Sequence, residues 1–178
     1  LDNKFKAAQK DAEADKNKRV EMMTGDQFAR QKEAVAQEIA DKQIGMLKRL
    51  LQATEPSDAE YPDLLFRLAD HFLDKKAYFD RQSGALYEKI YAAESSGKKA
   101  EANQLKQQQK RFEKESQAAS AEAVKVYQVL VTRPQFAKYK RIDEAMYFYA
   151  FELGQLKREA EMKEAYLRLI REYPTSKY

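Results

Sequence analysis

Between Leu65 and Leu130 the apolar residues recur at steps of three, four or seven, on both sides of one short break at Gly97. Leu65, Leu68, Phe72, Phe79, Leu86 and Ile90 precede the break; Ala102, Leu105, Gln109, Phe112, Ser116, Ala119, Ala123, Val126 and Leu130 follow it. That rhythm belongs to helices packed lengthwise on helices. In an antiparallel hairpin, facing residues have numbers of constant sum. With a sum of 195, Leu65 meets Leu130, Phe72 meets Ala123, Phe79 meets Ser116, Ser83 meets Phe112 and Leu86 meets Gln109. Large residues repeatedly face small ones, as an interdigitated seam requires. The polar stretch "ESSGKKAEANQLKQQQKRFEKESQ", residues 94–117, therefore reads as the turn and return helix of an arm. The outgoing helix is expected to pass through Gly84, at about 1 kcal/mol relative to Ala, and to turn at Gly97.

The flanks are read as helices too. Only 5 Gly and 4 Pro occur, and 35% of residues are charged. That balance suits long helices with narrow apolar stripes rather than a sheet or a deep interior. Residues 1–60 are expected to hold two N-terminal helices. The first, over 1–22, has few large apolar anchors and should be weakly ordered. The second, over 24–53, opens with a capping box from Thr24 to Gln27. Its buried stripe is read as Phe28, Val35, Ile39, Met46, Leu47, Leu50 and Leu51. A further capping box is expected from Ser57 to Glu60, ahead of Pro62. Residues 61–134 form the hairpin, ending at Pro134. In 135–178 one helix should run from Ile142 to Leu153, closed by Gly154. Another should run from Lys157 to Tyr173, stopped by Pro174. A chain that starts at Leu1 and ends on "YPTSKY" reads as a piece of a longer protein.

The last segment resembles a tetratricopeptide repeat. The large, large, small, large pattern of that family's first helix falls on Met146, Tyr149, Ala150 and Leu153. Its second-helix positions fall on Met162, Tyr166 and Leu169, with the closing proline at Pro174. Met162 and Leu169 are larger than the usual alanine, which implies looser packing there. The hairpin resembles a second, stretched copy. Leu65, Leu68, Ala69 and Phe72 match the first helix; Ala123, Tyr127 and Leu130 match the second. The small residue arrives at Ala123 instead of position 81, a delay of 42 residues or six heptads. Shared equally between the two helices, that delay puts the repeat's turn glycine at Gly97. The resemblance thus implies an all-α fold: a tetratricopeptide-like α-solenoid fragment with an elongated antiparallel coiled-coil hairpin. The segments "YPDLLFRLADHFLDK" and "DEAMYFYAFELGQLKREAEMKEAYLRLIREYPTSKY" are also similar to large repeat proteins of deltaproteobacterial cell envelopes, including those of the adventurous gliding machinery. That likeness implies a scaffold in a multiprotein envelope machine, in the periplasm, with the cytoplasm as the alternative.

No catalytic or metal-binding constellation is read from the sequence, and no cofactor is expected. His71, the one histidine, stands near Asp70 and Asp74 without further ligands, and reads as a surface or seam residue. Glu159, Glu161 and Glu164 begin a helix, where acidic residues complement its dipole. No Gly-rich phosphate loop occurs, and with no cysteine there is no thiolate chemistry. The net charge of +4 comes from 33 basic against 29 acidic residues, too even for a nucleic-acid-binding protein. Protein partners are expected instead. No run of residues is apolar enough to be a transmembrane segment. In "AMYFYAFEL" one helix carries Tyr147, Phe148, Tyr149 and Phe151, more aromatic rings than one side can bury. Tyr147, Phe148 and Phe151 are thus candidate partner-binding residues. The hairpin tip is basic, with Lys106, Lys110 and Arg111 among its cations. The alternative function is binding of an anionic surface there, lipid headgroups before nucleic acid. Asn occurs only at positions 3, 17 and 103. A repeat domain that clamps a peptide's terminal carboxylate would need it on the first helices.

Overall fold

Thr24 and Gln27 exchange hydrogen bonds: Thr24 N–H donates to Gln27 Oε1 at 2.9 Å, and Gln27 N–H donates to Thr24 Oγ1 at 3.2 Å. Two first-turn donors are thereby satisfied, and helix α1 (Gly25–Ala53) starts there. The structure, a computed structural model, describes residues 24–178; the helix expected over 1–22 lies outside them. The described residues form helices and turns with no strand. The chain divides into two compact units, Leu1–Ala36 and Gln37–Tyr178, and α1 begins in the first and ends in the second.

The stripe assigned to α1 is corrected. Ile44 and Leu47 are the buried residues, with Leu51 packed beside them. Phe28, Val35, Ile39, Met46 and Leu50 are between 40% and 62% exposed. The helix carries apolar residues on two faces, and only the shorter one meets the core.

After α1 come α2 (Tyr61–Gly84), α3 (Tyr87–Ser95) and α4 (Lys99–Thr132). The box expected from Ser57 to Glu60 does not form. Asp58 Oδ1 instead accepts from Glu60 N–H at 2.8 Å, in a turn ahead of the helix. The helix begins at Tyr61, with Pro62 in its first turn. The expected passage through Gly84 also fails. Ala85 N–H donates to Arg81 O at 2.9 Å, but Leu86 N–H donates to Ser83 O at 3.1 Å, a tighter closure that breaks the ladder. Both residues keep right-handed helical angles, so the chain is tightened there, not redirected. Leu86 and Ile90 beyond the break stay buried.

At the far end Gly97 takes a φ of 70°. Lys98 N–H donates to Ala93 O and Gly97 N–H donates to Glu94 O, at 2.9 and 3.0 Å. This paired closure needs the left-handed conformation that glycine adopts without steric cost. α4 then runs back along α3 and α2. Phe79 stacks on Phe112 at 6.2 Å, Ser116 bonds Asp80, and Tyr127 bonds Asp70. At the foot of the hairpin Tyr61 stacks on Phe136 at 5.9 Å, and Gln135 Nε2 donates to Pro56 O at 3.0 Å.

α5 (Ile142–Gln155) and α6 (Glu159–Glu172) complete the described chain. Gly154 does not close α5; the helix runs one residue past it. The left-handed position falls at Lys157, with a φ of 61°. Arg158 N–H donates to Leu153 O and Lys157 N–H to Gly154 O, both at 2.9 Å, the same closure as at Gly97. Gly154 serves packing instead: a Cβ there would lie 2.7 Å from Met162 Sδ. The long Met162 side chain therefore fills the space that a Cβ on Gly154 would need. The core joins Leu65, Phe66, Ala69 and Phe72 of α2 to Ala123, Tyr127 and Leu130 of α4, and on to Ala145 and Met146 of α5.

Candidate functional site

The four aromatic residues of α5 are divided by their surroundings. Phe148 stacks on Tyr127 at 6.2 Å. Tyr147 lies against Phe148, Phe151, Tyr166 and Tyr178, with centroids between 5.3 and 6.4 Å apart. Burial pushes the Tyr149 and Tyr166 hydroxyls above their ordinary pKa. Tyr147 and Phe148 are thus engaged within the chain, while Phe151 is 41% exposed. Lys76 Nζ sits 5.9 Å over the Phe151 ring. On α6, Leu167 and Ile170 are exposed.

Below Phe151 lies a polar joint that sequence reasoning missed. Glu152 is buried, and its carboxylate accepts from Lys76 Nζ of α2 at 3.0 Å and from Ser120 Oγ of α4 at 2.6 Å. One carboxylate thus ties three helices together. A cleft of about 190 Å³ opens beside it, lined by Lys76, Asp80, Glu113, Ser116 and Gln155 among others. The three partners are far apart in sequence, and each alone looks like an ordinary helix-surface residue.

A second network joins the hairpin to α5. Tyr127 Oη donates to Asp70 Oδ1 at 3.1 Å, and Tyr139 Oη donates to Asp63 Oδ1 at 2.8 Å. The Arg141 guanidinium lies 3.6 Å over the Phe66 ring and forks onto Glu144 at 2.7 and 3.1 Å. Burial raises the Asp70 pKa, against the pull of the Tyr127 hydrogen bond. Arg141's hydrogen bond lowers that of Glu144. His71 Nδ1 is 3.9 Å from Asp74 Oδ2. Of the carboxylates opening α6, Glu161 is held by Arg158 at 2.6 and 2.7 Å. That hydrogen bond lowers its pKa.

At the hairpin tip the expected cations are not equivalent. Lys106 is paired with Glu94 across the hairpin, whereas Lys110 and Arg111 have no acidic partner among the described residues. The Lys106–Glu94 pair shows which flanks meet. Lys106 and Lys110 follow the seam residues Leu105 and Gln109; Tyr87 and Tyr91 follow Leu86 and Ile90. These four share one side of the hairpin. Tyr87 is 64% exposed and Tyr91 73%. Arg111 lies a further step around the helix, away from this face.

The chain matches no known family model, no curated protein and no solved structure. The geometry therefore stands alone. It offers aromatic and apolar side chains held by packed helices, and a basic face with tyrosines. Among the described residues no three His, Asp or Glu are grouped to hold a metal, and no helix is long and apolar enough to cross a membrane.

Proposed function

We propose that this chain is a non-catalytic, tetratricopeptide-like scaffold for protein–protein contacts in a multiprotein assembly. The repeat reading is supported by matching burial in two helix pairs. Ala69 and Ala150, its small first-helix positions, are fully buried, and Phe72 and Leu153 are buried one turn on. Ala123, Tyr127 and Leu130 are buried in the longer pair, as is Leu169 in the shorter. The reading as an elongated coiled-coil arm is supported by the contacts along α2, α3 and α4. The likeness of "YPDLLFRLADHFLDK" to envelope repeat proteins favours a bacterial envelope machine.

The scaffold reading is carried by the apolar side chains that the C-terminal pair leaves outside. Phe151 stands exposed beside a fixed aromatic cluster, and Leu167 and Ile170 stand exposed on the neighbouring helix. A side chain anchored by packed neighbours loses little freedom when a partner covers it. Affinity capture from the native host, comparing the full-length protein with its Phe151→Glu variant, is the test. Loss of specific partners from the variant is expected. An unchanged set would detach the function from this face, and no reproducible partner at all would overturn the scaffold.

The second reading, an anionic surface bound by the hairpin tip, is favoured by the exposed Tyr87 and Tyr91 beside Lys110. Tyrosine suits a boundary between water and an apolar layer, and lysine supplies the charge. Reversing Lys106, Lys110 and Arg111 to Glu should abolish binding to phosphatidylserine vesicles, and added salt should weaken it. Binding indifferent to both would exclude this reading.

A further inference from the structure

The two helix pairs, α2 with α4 and α5 with α6, repeat a set of contacts residue for residue. Asp63 and Phe66 of α2 stand 81 positions before Glu144 and Tyr147 of α5. Tyr127 and Tyr139 stand 39 positions before Tyr166 and Tyr178. In the first pair Phe66 meets Tyr127 edge-on at 5.7 Å. Tyr139 then lies with its ring 6.3 Å from Phe66 and its hydroxyl donating to Asp63 at 2.8 Å. In the second pair Tyr147 meets Tyr166 edge-on at 6.1 Å. Tyr178 then lies 5.3 Å from Tyr147, with its hydroxyl donating to Glu144. Beyond α6 the chain therefore retraces, as far as Tyr178, the path it takes beyond α4.

On the first path a helix follows directly. Ile142 N–H donates to Tyr139 O at 3.1 Å, and α5 starts there, three residues past the tyrosine. α5 then covers the outer face of α4: Val131 is 4% exposed, in one cluster with Ala145 and Met146. Ile170 stands 39 positions after Val131, at the same place on α6, and is 66% exposed. Leu167 differs. Its counterpart 39 positions back is Gln128, which α5 leaves exposed.

We propose that the segment following Tyr178 in the full-length protein begins a helix about three residues on, and that this helix seats over Ile170 on the last turns of α6, as α5 seats over Val131 on α4. Its chemistry is set by α6. An apolar residue in its first turns covers Ile170. Where α4 has the buried Val124, α6 has the exposed Lys163, and there the covering helix presents an acidic residue to the ammonium. Ile170 is then a joint inside the protein, which leaves Phe151 and Leu167 for partners of the proposed scaffold. The inference rests on the paired contacts and not on that function. Partner capture is read at Phe151 and coverage at Ile170, so either can fail alone.

Cysteine labelling of the full-length protein is the test, since this chain has no cysteine of its own. Ile170→Cys and Leu167→Cys variants are treated with a maleimide under native conditions, and the labelled peptide is quantified by mass. Ile170→Cys should react about tenfold or more slower than Leu167→Cys. Equal native rates would overturn the proposal. Backbone amide exchange is the second measurement. Amides from about the third residue past Tyr178 onward should be protected as a helix. A slow Ile170→Cys without that protection would assign its cover to another molecule, and would equally overturn the proposal.

Discussion

Two left-handed residues close two helices with the same pair of hydrogen bonds, but one is Gly97 and the other Lys157. Lysine in that conformation brings its Cβ against the following carbonyl, at about 1–2 kcal/mol. Its side chain is exposed, so little packing is lost on removal. Lys157→Gly is accordingly expected to stabilise the protein by about 1 kcal/mol, read as a higher midpoint in urea. Gly97→Ala should move the midpoint the other way. Gly154 obeys different physics. Its backbone is helical, and the constraint is Met162 Sδ, 2.7 Å from where a Cβ would sit. A double-mutant cycle separates packing from propensity. In a Met162→Ala background, Gly154→Ala should recover the helix-propensity gain of about 1 kcal/mol. With Met162 present, that gain should shrink or reverse. Equal effects in both backgrounds would show that the close approach is unimportant.

At the scale of elements, the hairpin carries one polar atom that its seam does not satisfy. Gln109 Nε2 is buried without a hydrogen-bond partner. Such an amide costs about 1–3 kcal/mol relative to a satisfied one. Methionine has a similar length and no donor. Gln109→Met should therefore raise stability by about 1 kcal/mol, measured by chemical denaturation. A loss of stability would mean that the amide finds a partner. Much of these elements was legible in the sequence. Leu65, Phe72, Ala123 and Leu130 mark their helices by spacing alone, and the Thr24–Gln27 box marks a helix start. The all-helical character followed from the same rhythm. Other features were hidden for identifiable reasons. Phe66 lies beside Leu65 in an apolar run, so spacing could not show that it would be fully buried. On α1, Ile39 and Ile44 look equally suited to a core, and periodicity does not say which face meets one. The break after Gly84 depends on how hydrogen bonds close locally, not on the seam, which continues through it. On α5 the sequence showed too many rings for one side, but not that Tyr178 would lie against Tyr147 and Phe148 while Phe151 stayed outside.

For the larger unit as a whole, the junction at Glu152 is decisive. There a charged pair between α2 and α5, joined by a serine of α4, is enclosed, and both Glu152 and Lys76 are largely withdrawn from water. Removing one partner of such a pair strands the other charge. Glu152→Ala should cost about 3 kcal/mol, measured by chemical denaturation. Replacing both Lys76 and Glu152 by Met removes the stranded charge, so the double variant should be more stable than Glu152→Ala. If the single variant is the more stable, the pair is not acting as a buried unit. The sequence could not announce this joint, because 76 positions separate Lys76 from Glu152 and no local pattern links them.

The foot of the hairpin has a consequence for how such an arm can change over generations. Tyr61 against Phe136, and Gln135 against Pro56, hold the beginning of the outgoing leg beside the end of the returning one. Equal lengths removed from α3 and from the part of α4 that runs along it would leave that junction where it is. Reach can then be inherited as a variable in its own right, lengthened or shortened without redesign of the body. A hairpin rooted in this way can change its reach without moving its root.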